Sequence, residues 1–480
     1  MRRSLMTVML LLSIGALAPA VPAVESQLIP EPLYVYQDIP DGYDFPAPSH
    51  RLLAAIYAND RQAIREHAWN LWAGLTAPSL SVVNGQRLPI FETWYSADEL
   101  FEDAAAGKDP LRGPRDFARF FELPSQHLIG RPPDTMLAAN FMSFVSYNQA
   151  GARHLWENGL FRRATLVDLN NRFNATNQPI EARTIPPFPN DAVAIKVVYG
   201  LIKRPDSPQS DNGLTALPIW RPTYPPPADS PPIYLTWLDC VAVDPAGRYP
   251  AGSLQPVNCN GTAEAPRVRP SPVVRLNDFY SFQLTTPDQV QQARKFMREP
   301  SVGQPEERFV TNAGQVPEIG DFVVLLAMHV TTKEIDDWTW QTFWWSPNPD
   351  SSPFGDNRTA KVRGPFRNFE MCTAYDMVLP REPDGGPAIC FNPHLEADLG
   401  VIVPVTPTGE PMPRDLMNGI KTNCMACHVR AGYPSFDRND PTAANFGPVR
   451  NEGYVPPNDP IFARIVRTDF LWSVAIRSQP

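Results

Sequence analysis

Hydrophobic and polar positions follow a helical period in the first third of the chain and a two-residue period in much of the rest. Between Arg61 and Trp72 the apolar residues Ile64, Ala68, Leu71 and Trp72 fall on one face of a 3.6-residue repeat, and Asp60 stands where an N-cap belongs, so a helix is expected. His67 borders that face and is read as a packing residue. Leu88 to Tyr95 reads as a short strand, and Ser96-Ala97-Asp98-Glu99 ahead of Leu100 and Phe101 has the reciprocal serine–glutamate form that starts a helix. Phe141 to Arg163 carries aromatic residues on several faces and is expected as one buried helix, with His154 in the core or hydrogen-bonded.

From Phe188 onward the pattern is that of strands. Ala192 to Ile202 is β-branched and apolar around Lys196, and Ile233 to Val243 repeats this around Trp237. Pro205 to Pro232, between them, reads as an ordered proline-rich surface loop. Thr286-Pro287-Asp288-Gln289 opens a helix through Glu299. Asp321 to Thr332 is the most strand-like run; after a turn at Lys333-Glu334 the chain returns as Trp338 to Ser346. In that return, Trp338, Trp340, Thr342 and Trp344 alternate against Thr339, Gln341, Phe343 and Trp345, so both faces are expected to be buried. Pro347 to Arg367 and Leu379 to Ile389 read as loops, Pro413 to Ile420 as a helix, and Ile461 to Ile476 as a segment packing back on the core. The fold expected is α+β, an antiparallel β-rich core with peripheral helices and long Pro-rich loops. Residues 24–187 form a mainly helical region and 188–480 a β-rich one, or the two make one continuous domain.

Composition sharpens this. Proline accounts for 56 of 480 residues, above the usual share of about 5%, so long helices cannot dominate, and Gln27 to Pro48 is expected to wrap the surface as an extended arm. A formal net charge of −9 argues against nucleic acid and offers no basic face to anionic lipid. Met1-Arg2-Arg3, the apolar run Leu5 to Leu17 and the small residues Ala18 to Ala23 have the form of a secretory signal peptide over residues 1–23, which implies a periplasmic or otherwise secreted protein. No later stretch is apolar enough to span a membrane.

The chemistry concentrates at Cys424-Met425-Ala426-Cys427-His428, a Cys-x-x-Cys-His sequence. Two thiols three residues apart suit the two vinyl groups of one haem, and the adjacent imidazole is then held under the iron. A zinc site would need further ligands, and a thioredoxin-like pair has no use for the histidine. One covalent haem c is therefore expected, with His428 as iron ligand. The remaining cysteines are expected to pair locally as Cys240–Cys259 and Cys372–Cys390.

Residues 429–480 contain neither Met nor His, so a second axial ligand must come from upstream or not exist. Met412, Met417, Met371, Met377, His394, His329 and Met328 are the candidates. An open iron suits gas or substrate binding. His329 and Lys333, four residues apart on one side of a strand, are the polar pair read as assisting such chemistry.

The haem motif near the C-terminal end, the upstream MHVTTKEIDDWTWQTF and the closing TDFLW together resemble the cytochrome P-460 and cytochrome c′-beta family over about residues 188–476. That resemblance implies an antiparallel-sheet domain with one c-type haem open on its distal side. It also implies either hydroxylamine oxidation, with Lys333 or Lys196 cross-linked to the haem, or the binding of small gases. Two functions are thus carried forward: a haem oxidoreductase acting on a small substrate or passing single electrons, and an electron-transfer or gas-binding module without catalysis. The partner is a redox protein in one case and a small molecule in the other.

Overall fold

The computed structural model describes residues 34–112, 115, 117, 141–220, 239–259, 266–296, 315–375, 390–396, 424–435, 443–444 and 455–480. The signal peptide, residues 221–232 of the 205–232 loop, the start of the 233–243 strand, 379–389, 413–420 and the ligand candidates Met377, Met412 and Met417 lie outside the described residues.

The architecture is α+β. Helices α1 (Ser49–Tyr57) and α2 (Arg61–Leu75) come first, then strands β1 (Pro78–Val83), β2 (Gln86–Pro89), β3 (Tyr95–Ser96) and β4 (Phe141–Tyr147). Helices α3 (Gln149–Glu157) and α4 (Arg163–Ala175) lead to β5 (Val193–Ile202), β6 (Thr215–Ile219), β7 (Asp239–Asp244), β8 (Leu254–Asn258), β9 (Val268–Arg275) and β10 (Ser281–Gln283). After α5 (Pro287–Phe296) come β11 (Phe322–Thr332), β12 (Thr339–Trp345) and β13 (Phe369–Thr373), then α6 (Cys424–His428), β14 (Gly432–Tyr433), β15 (Val466–Arg467) and α7 (Trp472–Arg477).

The main sheet runs β13-β12-β11-β5-β4-β3, all antiparallel, with β10 continuing the β12 side of β11. Strands β3 and β4 precede residue 188 and β5 follows it, so both regions of the chain build one sheet. A smaller sheet, β6-β7-β9-β8, has one parallel pair and is stapled by Cys240–Cys259.

Both faces of the main sheet are covered, as the tryptophan alternation on β12 requires. Phe343 and Trp345 point to a core with Met328, Val330, Tyr199, Phe369 and Met371, over which α2 lays Trp69 and Trp72. The Trp72 ring stacks on Phe343 at 4.3 Å. Trp340 and Trp344 point the other way, to a core with Ala327, Val198, Leu155, Met425 and Trp472. The β11–β5 register shifts between Leu325 and Ala327, and a Cβ on Gly200 would lie 2.6 Å from Leu326 Cδ1. Such an extra residue changes the phase of alternation: Leu325 belongs with the Phe343 face, whereas Ala327, two residues on, belongs with the Trp340 face.

Local signals hold where side chains satisfy backbone. Asp60 accepts from Ala63 N at 3.0 Å to start α2. Ser96 N donates to Glu99 Oε2 (2.7 Å) while Glu99 N donates to Ser96 Oγ (3.2 Å), opening a single π-type turn, Glu99–Asp103. Two expectations are corrected. Phe141 to Arg163 is not one helix: its first seven residues are a central strand between β3 and β5, and Asn148 then caps α3 by accepting from Gly151 N (3.1 Å). The apolar residues of that strand serve two cores at once, which mimics a helix buried all round. Leu88 to Tyr95 is not one strand: a 3₁₀ turn, Ile90–Thr93, follows Pro89, which has no N–H to continue a ladder.

Candidate functional site

The Cys-x-x-Cys-His sequence forms α6, one short helix set down on the Trp340 face by Met425, which is fully buried. Cys424 and Cys427 are half-buried and form no disulfide, whereas the other four cysteines pair as Cys240–Cys259 and Cys372–Cys390. The His428 ring lies 4.3 Å from the Trp340 ring. Its Nδ1 is 2.7 Å from the carbonyl oxygen of Phe470. A carbonyl only accepts, so Nδ1 carries the proton and Nε2 keeps its lone pair. Burial first, then interaction with the neighbouring His329 and Lys196, push His428 down to about 3, against the opposing effect of the Phe470 bond. The imidazole is neutral across the physiological range.

The Phe470 carbonyl is delivered by the chain's last segment. β15 pairs with β14, which starts four residues after His428, and Thr468 N donates to Ala431 O at 2.9 Å. Asp469 and Phe470 then adopt positive φ, 47° and 68°, and Trp472 Nε1 donates to Cys427 O at 3.2 Å.

Opposite α6 the sheet presents Lys196 and Thr342, the register neighbours of His329 on either side. Glu396 accepts from His329 Nε2 at 2.8 Å. The loop carrying Glu396 starts at Cys390, and Asn392 ties it down: its N–H donates to Glu396 Oε2 (2.5 Å) and its Nδ2 to Thr342 Oγ1 (2.7 Å). Burial and then the Glu396 charge raise both thiols, Cys427 to about 12 and Cys424 well above its ordinary value.

His329 and Lys333 do not form a joint polar pair. β11 ends at Thr332, and the Lys333 amine turns to Asp469 Oδ1 (2.7 Å) and Asp336 O (2.6 Å), 5.5 Å from the Trp338 ring. Residues four apart along a strand are separated by roughly 13 Å, so one side of the strand accommodates two separate partners. Of the sixth-ligand candidates, Met328 and Met371 belong to the core on the far face of the sheet. His329 shares the motif's face, and His394 is buried in the loop beside it and pushed down to about 3 by that burial. His67 and His154 are packing residues, bonded to Tyr375 Oη (2.7 Å) and Pro186 O (3.0 Å).

Sequence reasoning missed Glu396, Asn392, Asp469 and the Phe470 carbonyl. The Cys372–Cys390 spacing points to the loop that carries Asn392 and Glu396, and TDFLW contains Asp469, whereas the Phe470 carbonyl, a backbone atom, leaves no side-chain signal. Among the described residues no group of three or more His, Cys, Asp or Glu side chains is arranged to hold a metal ion. The motif's donors are two thiols and one imidazole nitrogen, which suits a group bringing its own remaining ligands. Comparison of the chain with protein-family models, curated proteins and solved structures finds no match.

Proposed function

We propose that the protein is an exported monohaem c-type cytochrome, a periplasmic haem oxidoreductase that acts on a small substrate or passes single electrons. The observation carrying this reading is His428: it immediately follows two thiols left out of the disulfides, and its Nδ1 is fixed by a backbone carbonyl so that Nε2 keeps the lone pair. Cys424 and Cys427 would hold the porphyrin as thioethers and His428 Nε2 would bind the iron. Haem c, when bound, supplies a one-electron iron centre. His329 and Glu396 can hold or pass a proton beside it, and the two disulfides suit an oxidising compartment. Within the P-460 resemblance Lys196 is the lysine whose charge reaches His428, and it neighbours His329 in register.

The second reading is a module without catalysis: electron transfer if His329, on the motif's face of the sheet, would serve as a further iron ligand, and gas binding if it would not. The protein exported from a host that matures c-type cytochromes should keep its haem through denaturation, and Cys424→Ser or Cys427→Ser should lose most of it. Wild type without covalent haem sinks the reading. In the same preparation, a ferrous spectrum that shifts with carbon monoxide supports the oxidoreductase or gas-binding site, and one indifferent to it supports electron transfer.

A further inference from the structure

Lys333, midway along the β-rich region, and Asp469, near its end, meet with little exposure, 8% and 9%. The carboxylate is held on both oxygens: Oδ1 accepts from Lys333 Nζ (2.7 Å) and Oδ2 from Phe188 N (3.0 Å). Lys333 is itself fixed by Asp336 O and the Trp338 ring, at the turn joining β11 to β12. Asp469 is thereby clamped between that turn and the segment leading into β5.

What the clamp holds is a costly backbone. Asp469 and Phe470 are consecutive non-glycine residues in the left-handed region, each unfavourable unless its surroundings over-determine it. The product of that conformation is the Phe470 carbonyl at 2.7 Å from His428 Nδ1. A carbonyl accepting from an imidazole N–H makes the other ring nitrogen a stronger electron donor.

We infer that the Lys333–Asp469 ion pair is a positioning device for His428: it fixes the turn that aims the Phe470 carbonyl, and so sets how strongly Nε2 donates to a bound iron. This rests on the haem reading. It makes Lys333 a positioning residue, in place of the catalytic role its sequence suggests. Stronger donation stabilises the higher charge of ferric iron, so loosening the turn should favour the ferrous form.

The test is the reduction potential of haem-loaded protein. Asp469→Asn keeps a residue that tolerates positive φ and removes the charge together with one of the two accepting oxygens. Lys333→Met keeps the apolar stem, and the double variant leaves no lone buried charge, so it serves if either single variant fails to accumulate. Each is expected to retain covalent haem and to shift the ferric–ferrous equilibrium toward ferrous by roughly tenfold, about 59 mV for one electron. Lys333→Arg should restore most of the wild-type value. Potentials equal to wild type in haem-loaded Asp469→Asn and in the double variant would overturn the inference while leaving the haem reading intact. Absence of haem from wild type would instead overturn that reading.

Discussion

At the scale of single residues, the Cys-x-x-Cys-His sequence is governed by what surrounds it. Glu396 illustrates this. Its carboxylate is oriented by Asn392 N and His329, and its charge, after burial, raises both motif thiols. Thiolate is the nucleophilic form, so a raised thiol is a protected one. In protein made without haem, Glu396→Gln should lower both thiols and speed alkylation of Cys424 and Cys427 by iodoacetamide severalfold at pH 8. Equal rates in variant and wild type would mean that burial alone protects them. The same neighbourhood gives His329 a defined partner, which Lys333 lacks any share in.

At the scale of elements, the loop from Cys390 to Glu396 places acid against histidine, and Cys372–Cys390 fixes where it starts. Cys372 sits on β13, in register with Thr342, the residue that Asn392 also grips. A disulfide closing a loop of this length, 18 residues apart in sequence, contributes about 3 kcal/mol by chain entropy. Cys372→Ala with Cys390→Ala should lower the unfolding free energy by about that amount in urea titration, and the loop's hold on His329 should weaken with it. An unchanged urea midpoint would contradict this. The β11–β12 hairpin, α2 and both local disulfides were legible because each is written in contiguous residues: an alternation, a cap, a short Cys spacing. β4 was not legible. FMSFVSY has apolar residues on both sides because both cores need them, and only pairing with β3 and β5 separates a strand from a buried helix. Likewise the motif announced two thiols and a histidine, while the Phe470 carbonyl, 42 residues on, is a backbone atom that no side-chain pattern reports.

At the scale of the whole molecule, both faces of the sheet bury ionisable groups. On the α2 side Glu92 accepts from Tyr199 and Tyr280 and His67 meets Glu334, and on the α6 side His329 meets Glu396 close to the motif thiols. The α6 side imposes a pH window on the haem-free protein, and the signs follow from two groups. Burial pushes His394 from 6.5 down to about 3, so between those values the unfolded chain binds a proton that the native chain excludes, and stability is lost as pH falls from 6.5 toward 3. Burial pushes Cys427 from 9.0 up to about 12, so between those values the native chain keeps a proton that the unfolded chain releases, and stability is lost as pH rises from 9 toward 12. Urea midpoints of haem-free protein should accordingly be highest between about pH 6.5 and pH 9 and fall on both sides. Because Cys424 is raised and His428 lowered as well, Cys427→Ser should make the alkaline limb shallower without removing it and leave the acid limb in place, and His394→Asn should do the reverse. A variant pair that moves both limbs together would show that the pH window is set by net charge over the whole chain, and not by groups buried under the sheet.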